Sequence, residues 1–363
     1  MKIIDRYILK NFLVTFFFSI FLFAVIAVVI DISEKTEDFV RAKLDFTDII
    51  MQYYIGFVPH ILALLFPLFV FIAVIYFTSK LAGRTEVVAI LASGVSLRRF
   101  LVPYWVGGCL LALTLWFANL QIVPRANEIR THFETVYVNR NSTYNPLMAK
   151  NNNIYFRTDS FSYAGIQYYD TLYKSGGPYF VNTIKGNQVV YNLRAESIRW
   201  DTIHKKWQLV NLVERFVDSM GERMQLQPER LVKTSFTPFD LKRDDYTKDK
   251  LTSQELAKFI RMQEIRGVEG LNTLKVEKHR RDATAFSVLV LTLIGAIIAS
   301  RKVRGGSGGH LAMGFIMAAL FILMDKFSTV FSTKGDFPPM LAAWLPNLLF
   351  SFVALYLYKK APK

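Results

Sequence analysis

Six long uncharged runs constrain this chain more than any other feature of its sequence. They cover residues 12–30, 55–78, 101–120, 283–300, 311–324 (continuing past Asp325 and Lys326 to Phe331) and 340–358. A helix rises about 1.5 Å per residue, so roughly 20 residues cross a ~30 Å hydrocarbon layer. Lipid offers backbone amides no hydrogen-bond partner, so each run must satisfy itself as a helix. Six membrane spans follow. The chain is 52% hydrophobic, more than a globule with a polar skin keeps. The first run is longer than a signal-peptide core and leads into DISEKTED rather than a cleavage site, so it reads as the first span.

The net charge of +15 raises the question of nucleic acid, and the placement of the charge answers it. Lys and Arg in short loops set membrane topology. Thirteen of them sit at the two termini and in the second and fourth loops: Lys2, Arg6, Lys10, Lys80, Arg84, Arg98, Arg99, Arg301, Lys302, Arg304, Lys359, Lys360 and Lys363. Only four, Lys35, Arg41, Lys43 and Lys334, fall in the first and fifth loops, and the first loop also carries six acids. Both termini are therefore expected on the cytoplasmic side, with the long stretch after the third span outside. The single cysteine, Cys109, lies in the third span and rules out an intrachain disulfide.

The expected organisation has four parts. Residues 1–123 hold spans one to three, with a short cytoplasmic helix at about 85–94. Residues 124–250 form an external β domain, 251–282 a helical connection, and 283–363 spans four to six. In the β part, NIYFRTDSFSY (153–163) alternates in part through Ile154 and Phe156, and residues 187–217 read as strand, turn, strand, with the turn at 201–206 between Trp200 and Trp207. An antiparallel sandwich or an open roll is expected. In LTSQELAKFIRMQEIRG (251–267), Thr252 and Glu255 form a capping box and Gly267 a C-terminal stop. A basic segment, 273–283, then enters the membrane.

No catalytic set emerges. The five histidines, His60, His132, His204, His279 and His310, lack metal-ligand spacing. His204 falls in a hairpin turn and His310 in a glycine loop, RGGSGGH, where both read as surface residues. No Gly-Lys pair exists to build a phosphate loop, so any ATP is hydrolysed by another subunit. In RTEVVAILASGVSLRRF (84–100), Thr85 can cap, Glu86 complements the helix dipole, and Val87, Val88, Ile90 and Leu91 make an apolar face before Gly94 stops the helix. The helix either rests on lipid or docks in a groove of a cytoplasmic motor. Asp325 and Lys326 lie inside the fifth span; such charges face a cavity or partner, or else snorkel to the headgroups. Cations also gather at the outer membrane edge: Lys35, Arg41 and Lys43, then Arg125 and Arg130, then Lys275, Lys278, Arg280 and Arg281. A phosphorylated lipid head accounts for them as a group, and pairing with nearby acids accounts for any one. Pro59 and Pro67 are expected to bend the second span.

Several stretches together resemble the lipopolysaccharide-export permeases LptF and LptG. They are DRYILKNFL from Asp5, RTEVVAILASGVS, IVPRANE, RAESIRW, KKWQLVN, LTSQELAKFI, VEKHRRDATAFSVLVLTLIGAII and AAWLPNLLF. The start and the last span lean toward the LptG branch. The resemblance implies an α-helical polytopic membrane protein of six transmembrane helices, with an inserted periplasmic all-β jellyroll-like domain, in the bacterial inner membrane. It implies a transport subunit without catalytic residues, metal or cofactor of its own. ATP and Mg would be bound by a partner, an LptB-type ATPase dimer. A second LptF/LptG-type permease, LptC, LptA and lipopolysaccharide are the other implied partners; nucleic acid is not among them. The short cytoplasmic helix becomes the coupling helix, with Arg84, Glu86, Val87, Ile90, Leu91 and Gly94 serving the motor. Lys35, Arg41, Lys43, Arg125 and Arg130 would meet lipid phosphates, and Asp325 with Lys326 would form an intramembrane functional pair. The alternative is a force-transmitting permease acting on lipoproteins or periplasmic enzymes. Such proteins usually have four spans with the large domain after the first, unlike the layout here. A membrane enzyme or a scaffold that transports nothing are more distant readings.

Overall fold

The computed structural model describes residues 2–138, 150–186, 188–218, 221–234, 236–241, 246–268, 270–301 and 308–361. Lys302, Arg304, most of the glycine loop and Lys363 therefore lie outside the described residues. The chain divides into two compact units. One comprises Met1–Arg130, Lys248–Leu256 and Asn272–Lys363; the other comprises Thr131–Thr247 and Ala257–Leu271.

The first unit is helical. It contains α1 (Ile3–Ala42), then α2 (Phe46–Ile49), which passes through a π-helical turn (Ile50–Tyr54) into α3 (Ile55–Gly83). The short α4 (Glu86–Ala92) precedes α5 (Leu97–Phe117), which continues through a second π-helical turn (Ala118–Ile122) into α6 (Val123–Phe133). A third π-helical turn spans Glu134–Val138. Further along the chain come α7 (Pro238–Leu241), α8 (Thr247–Lys250), α9 (Ser253–Ile265), α10 (Asn272–Ala299), α11 (Gly308–Lys334) and α12 (Pro339–Lys360); of these α7 and most of α9, like the third π-helical turn, belong to the second unit. Six helices are long and apolar enough to cross a membrane: Ile3–Arg41, Phe46–Gly83, Leu97–Val138, Asn272–Ala299, Gly308–Lys334 and Pro339–Lys360. The basic stretch ahead of the fourth apolar run is thus the first part of α10 itself. α3 runs unbroken through Pro59 and Pro67.

α10 is the central helix, packed against α3, α5, α11 and α12. Phe12, Phe16, Val70, Tyr104, Leu111 and Ala296 form one buried cluster, and Phe71, Ile75, Leu291, Ile294 and Phe350 another. Phe18, Phe21, Phe315, Phe327 and Phe352 instead point outward, which in a spanning helix means toward lipid or another protein.

The second unit holds a six-stranded antiparallel sheet in sequential order: β1 (Lys150–Arg157), β2 (Ser162–Asp170), β3 (Ser175–Lys185), β4 (Gln188–Asp201), β5 (Lys206–Asp218) and β6 (Gly221–Val232). Among the described residues the strands form one sheet rather than a two-sheet sandwich. NIYFRTDSFSY proves to be the end of β1, a turn and the start of β2. The β4–β5 hairpin turns where expected: Asp201 pairs with Lys206, and the Trp200 and Trp207 rings sit 5.0 Å apart. Phe156, Ala164, Ile166, Tyr169, Ile198, Trp207, Leu209 and Leu212 make its core, closed by Phe236, whose carbonyl accepts from Trp207 Nε1 at 2.9 Å. Inward positions change parity midway along the hairpin. Leu193 and Ala195 give way to Ile198 on β4, and Leu212 gives way to Leu209 on β5. The switch falls at Asn211, which takes φ 49 and donates to Glu196 at 2.6 Å.

Local signals fared unevenly. Thr252 and Glu255 do form the capping box of α9, through the Thr252 amide and hydroxyl at 2.9 and 2.8 Å, and Gly267 adopts φ 66 beyond its end. Thr85 does not cap α4 with its side chain. It takes φ 64 and bonds the Arg84 carbonyl, because the tight corner after α3 turns its hydroxyl away from the helix amides. His310 is also not a loop residue. α11 already starts at Gly308, which buries His310 to 5% exposure with Nδ1 3.3 Å from Ser79 Oγ.

Candidate functional site

At one end of the helical unit, α4 is a two-turn helix held between α3 and α5. Gly94, at φ 88, ends it in a conformation that costs a side-chain-bearing residue about 1 kcal/mol or more. Its apolar residues divide between two directions. Val87 is fully buried in the chain's own core, with Ile90 and Leu91 packed against the same cluster. Val88 is 47% exposed. Helical periodicity forces the split, since positions 87, 90 and 91 share one face and 88 faces away. Glu86 accepts from the Tyr7 hydroxyl at 3.4 Å and lies 3.9 Å from Arg84, while Arg84 itself is exposed. Nearby, Asp5 is 5% exposed and pairs with Arg99 at 2.5 Å. The first turns of α1 are thereby tied to α4 through Tyr7 and to α5 through Asp5. Neither tie was visible in the sequence, because each joins residues at least 79 positions apart.

The far ends of the helices are also rich in charge. Asp31 on α1, 6% exposed, accepts from Lys35 at 2.8 Å and from the Tyr53 and Tyr54 hydroxyls at 3.1 Å each. A π turn narrows the angle between successive side chains, which lets two consecutive tyrosines serve one carboxylate. Lys35 lies 4.5 Å from the centre of the Tyr53 ring. Its charge is matched within the chain, whereas Arg41, 3.9 Å from Asp38, and Lys43 are exposed. The Asp31–Lys35 spacing of four was a legible signal for a helix-face pair.

Arg125 is exposed on α6 and reaches Glu128 at 3.1 Å and Glu255 at 3.3 Å. Thr252 holds the Glu255 carboxyl below its usual range through backbone and side-chain hydrogen bonds, and Arg125 adds to the effect. Arg130, one turn on, stands in the field of Asp249, whose own carboxyl is raised by burial against the pull of Lys248, Arg130, Arg280 and Arg281. Arg281 is almost wholly buried and donates to Ser253 Oγ and to the Lys248 and Leu251 carbonyls at 2.8–3.1 Å. It fixes the 248–256 segment to α10. The outer cations thus fall into two groups. Lys35 and Arg281 hold the fold together, and Arg41, Lys43 and Arg125 remain accessible.

Asp325 and Lys326 come together with the charges of α8 and α10. Both line a cavity of about 300 Å³ that also receives Asp249, Glu277, Arg280 and Arg281. Much of its remaining wall is apolar, built from residues such as Leu64, Leu68, Phe321 and Ile322, with His60, Asn127 and Asn347 among its polar residues. Among the described residues no group of His, Cys, Asp and Glu could hold a metal ion.

Six spanning helices, an extramembrane sheet inserted between the third and fourth of them, and a short helix pinned between the second and third define a class: multi-pass membrane permeases. The particular family follows from the whole length of the chain. The model of the lipopolysaccharide export system permease LptF/LptG matches residues 6–360, and the chain belongs to that family. That model takes in both branches and does not separate F from G. No curated protein matches the chain. The family makes the chain a permease subunit for lipopolysaccharide export, a transport protein of the inner membrane rather than an enzyme by itself.

Proposed function

We propose that this chain is the lipid-handling half of a pump whose motor grips it from the cytosol. Both termini and α4 face the cytoplasm, as the distribution of loop charges argues, and the β unit faces the periplasm. An LptB-type ATPase dimer binds the ATP and Mg, and this chain pairs with a second LptF/LptG-type permease. The exposed edge of α4, with Arg84, Glu86 and Val88, meets the ATPase, while Val87, Ile90 and Leu91 carry the motion into the helical core. The tie from Tyr7 to Glu86 is the observation that carries this reading. It gives a displacement of α4 a direct route to α1, the helix that opens the chain's membrane unit. Closure of the ATPase then narrows the space between the two permeases and drives the lipid toward the β units, then to LptC and LptA. Each methylene kept from water is worth about 0.8 kcal/mol. A lipid with several acyl chains therefore needs both work and a second apolar surface to leave the membrane. Arg41, Lys43, Arg125 and Arg130 meet its phosphates at the outer edge.

Glu86→Ala tests the coupling. The variant is expected to fold and insert normally and to lose most ATP-driven lipopolysaccharide release from proteoliposomes. Release at the wild-type rate, with the ATPase still bound, would refute the role of Glu86.

A further inference from the structure

The cavity shared by α3, α6, α10, α11 and α12 is not explained by lipopolysaccharide export. At about 300 Å³ it sits at the small end of ligand sites, too small for a lipid with many chains. Three of its polar groups lie at one depth. Arg280 is eight residues from the start of α10, Asp325 nine from the end of α11 and Asn347 eight from the start of α12, each about 12–14 Å along its helix. The register agrees, because Ser328 bonds the Ala342 carbonyl at 2.7 Å and so aligns α11 with α12 one turn away. Deeper along α10 the lining continues through Thr284 and Ser287, whose hydroxyls bond that helix's own carbonyls, to Leu291.

Two features specify the chemistry of an occupant. First, acids and bases balance: Asp249, Glu277 and Asp325 stand against Arg280, Arg281 and Lys326. Glu277 lies between Arg280 and Arg281 at 3.6 and 3.8 Å, and Arg281 is further committed to backbone carbonyls. Asp325, which stands in the field of Arg280, and Lys326 complete the charged lining. A polyanionic head gains little from such a set, whereas a head carrying one phosphate and one cation matches it. Second, Asn347 is 2% exposed and lines the cavity, and its amide donates to the Ala283 carbonyl at 2.7 Å. Its Oδ1 is buried and receives no hydrogen bond. A buried acceptor left unmatched costs about 1–3 kcal/mol. An N–H donor from the occupant removes that cost, and a quaternary ammonium cannot.

We propose that this cavity binds one phospholipid with a primary-ammonium zwitterionic head, of the phosphatidylethanolamine type. The ammonium reaches Asn347 Oδ1 and Asp325, the phosphate meets Lys326 and Arg280, and one acyl chain lies along Leu64, Leu68 and Ile322. The second chain remains in the bilayer. The site depends on the helices spanning a membrane and not on what the permease exports, so its test involves no export assay.

The full chain, purified with whatever subunits accompany it, is stripped by detergent exchange and reloaded from bilayers of ethanolamine-, choline- or glycerol-headed phospholipid with identical acyl chains. Lipid retained after washing is counted by native mass spectrometry. One ethanolamine lipid per chain is expected, held about tenfold or more over the choline lipid, as the loss of a hydrogen bond to a charged donor predicts. Asn347→Leu should remove that preference, and Leu64→Trp, at a position 49% exposed, should displace the lipid while leaving the melting temperature of the lipid-stripped chain unchanged. Equal retention of the ethanolamine and choline lipids overturns the proposal, as does retention unaffected by Leu64→Trp. Finding no lipid, which leaves a water-filled cavity, overturns it too. Full competition by soluble phosphoethanolamine would assign the site to a free metabolite and equally refute a lipid.

Discussion

The Asp240–Arg266 pair offers a quantitative test of what holds the β unit closed. Asp240 sits on α7 and Arg266 just beyond α9; their side chains are each 10% exposed and 2.8 Å apart. Asp240 also accepts from the Thr237 amide and hydroxyl at 2.8 and 2.9 Å, and the Arg266 carbonyl accepts from the Arg157 amide at 2.9 Å. The pair therefore joins the segment after β6, which carries the core residue Phe236, to the end of α9 and the end of β1. Removing one partner of a buried pair typically costs about 3–5 kcal/mol. Asn at 240 keeps the Thr237 hydrogen bonds, so the low end applies: about 3 kcal/mol, or roughly 150-fold in the opening equilibrium. Hydrogen exchange with mass spectrometry on the full-length Asp240→Asn chain should show the slowest amides of β4 and β5 exchanging faster by that factor. Arg266→Met added to the same chain should recover much of the loss, since both charges are then gone. Acid supplies a second reading. Burial by itself would raise the Asp240 carboxyl, but Arg266 and Thr237 outweigh it and hold it below the usual carboxylate range. Its contribution is then complete above that range and is lost as pH falls through and below it. The gap between wild type and Asp240→Asn should narrow in acid. A change under about threefold at neutral pH, or a gap that widens in acid, would refute the reasoning.

Three further predictions follow from the helical unit. A Cβ at Gly56 would stand 2.4 Å from the Ala126 carbonyl oxygen and 2.7 Å from the Arg130 amide, both backbone atoms, so Gly56→Ala should destabilise by about 2–3 kcal/mol. A thermal melt identical to wild type would disprove so close an approach of α3 and α6. Lys35→Met should destabilise by about 2 kcal/mol, and Asp31→Asn in the same chain should restore much of it. A double variant that melts normally yet fails to crosslink lipopolysaccharide would instead make Lys35 a lipid contact. Reversing Arg125 and Arg130 to Glu should weaken crosslinking of lipopolysaccharide to the outer edge of the spans; crosslinking at the wild-type level would remove both residues from the phosphate site.

The sequence by itself determined the spans, because a run of about twenty uncharged residues has only one stable form in hydrocarbon. It also determined the α9 capping box, the β4–β5 turn and the stop at Gly94, each a matter of neighbours within a few residues. Its family motifs run nearly end to end, which is why the family could be read without coordinates. Tertiary structure alone decided which charges meet. Asp31 with Tyr53 and Tyr54, Asp5 with Arg99, and Tyr7 with Glu86 lie 22 to 94 positions apart. The same holds for the direction of α4, whose strongest apolar residue faces inward, and for the parity switch at Asn211, which period-two reading cannot contain. Asp325 and Lys326 could be singled out as anomalous from sequence, but the cavity they border is made by five other segments of chain. The physical reason is general. Backbone satisfaction and caps are local and leave periodic marks. A buried charge is stable only beside a partner of opposite sign, and it is the packing of helices that brings that partner near.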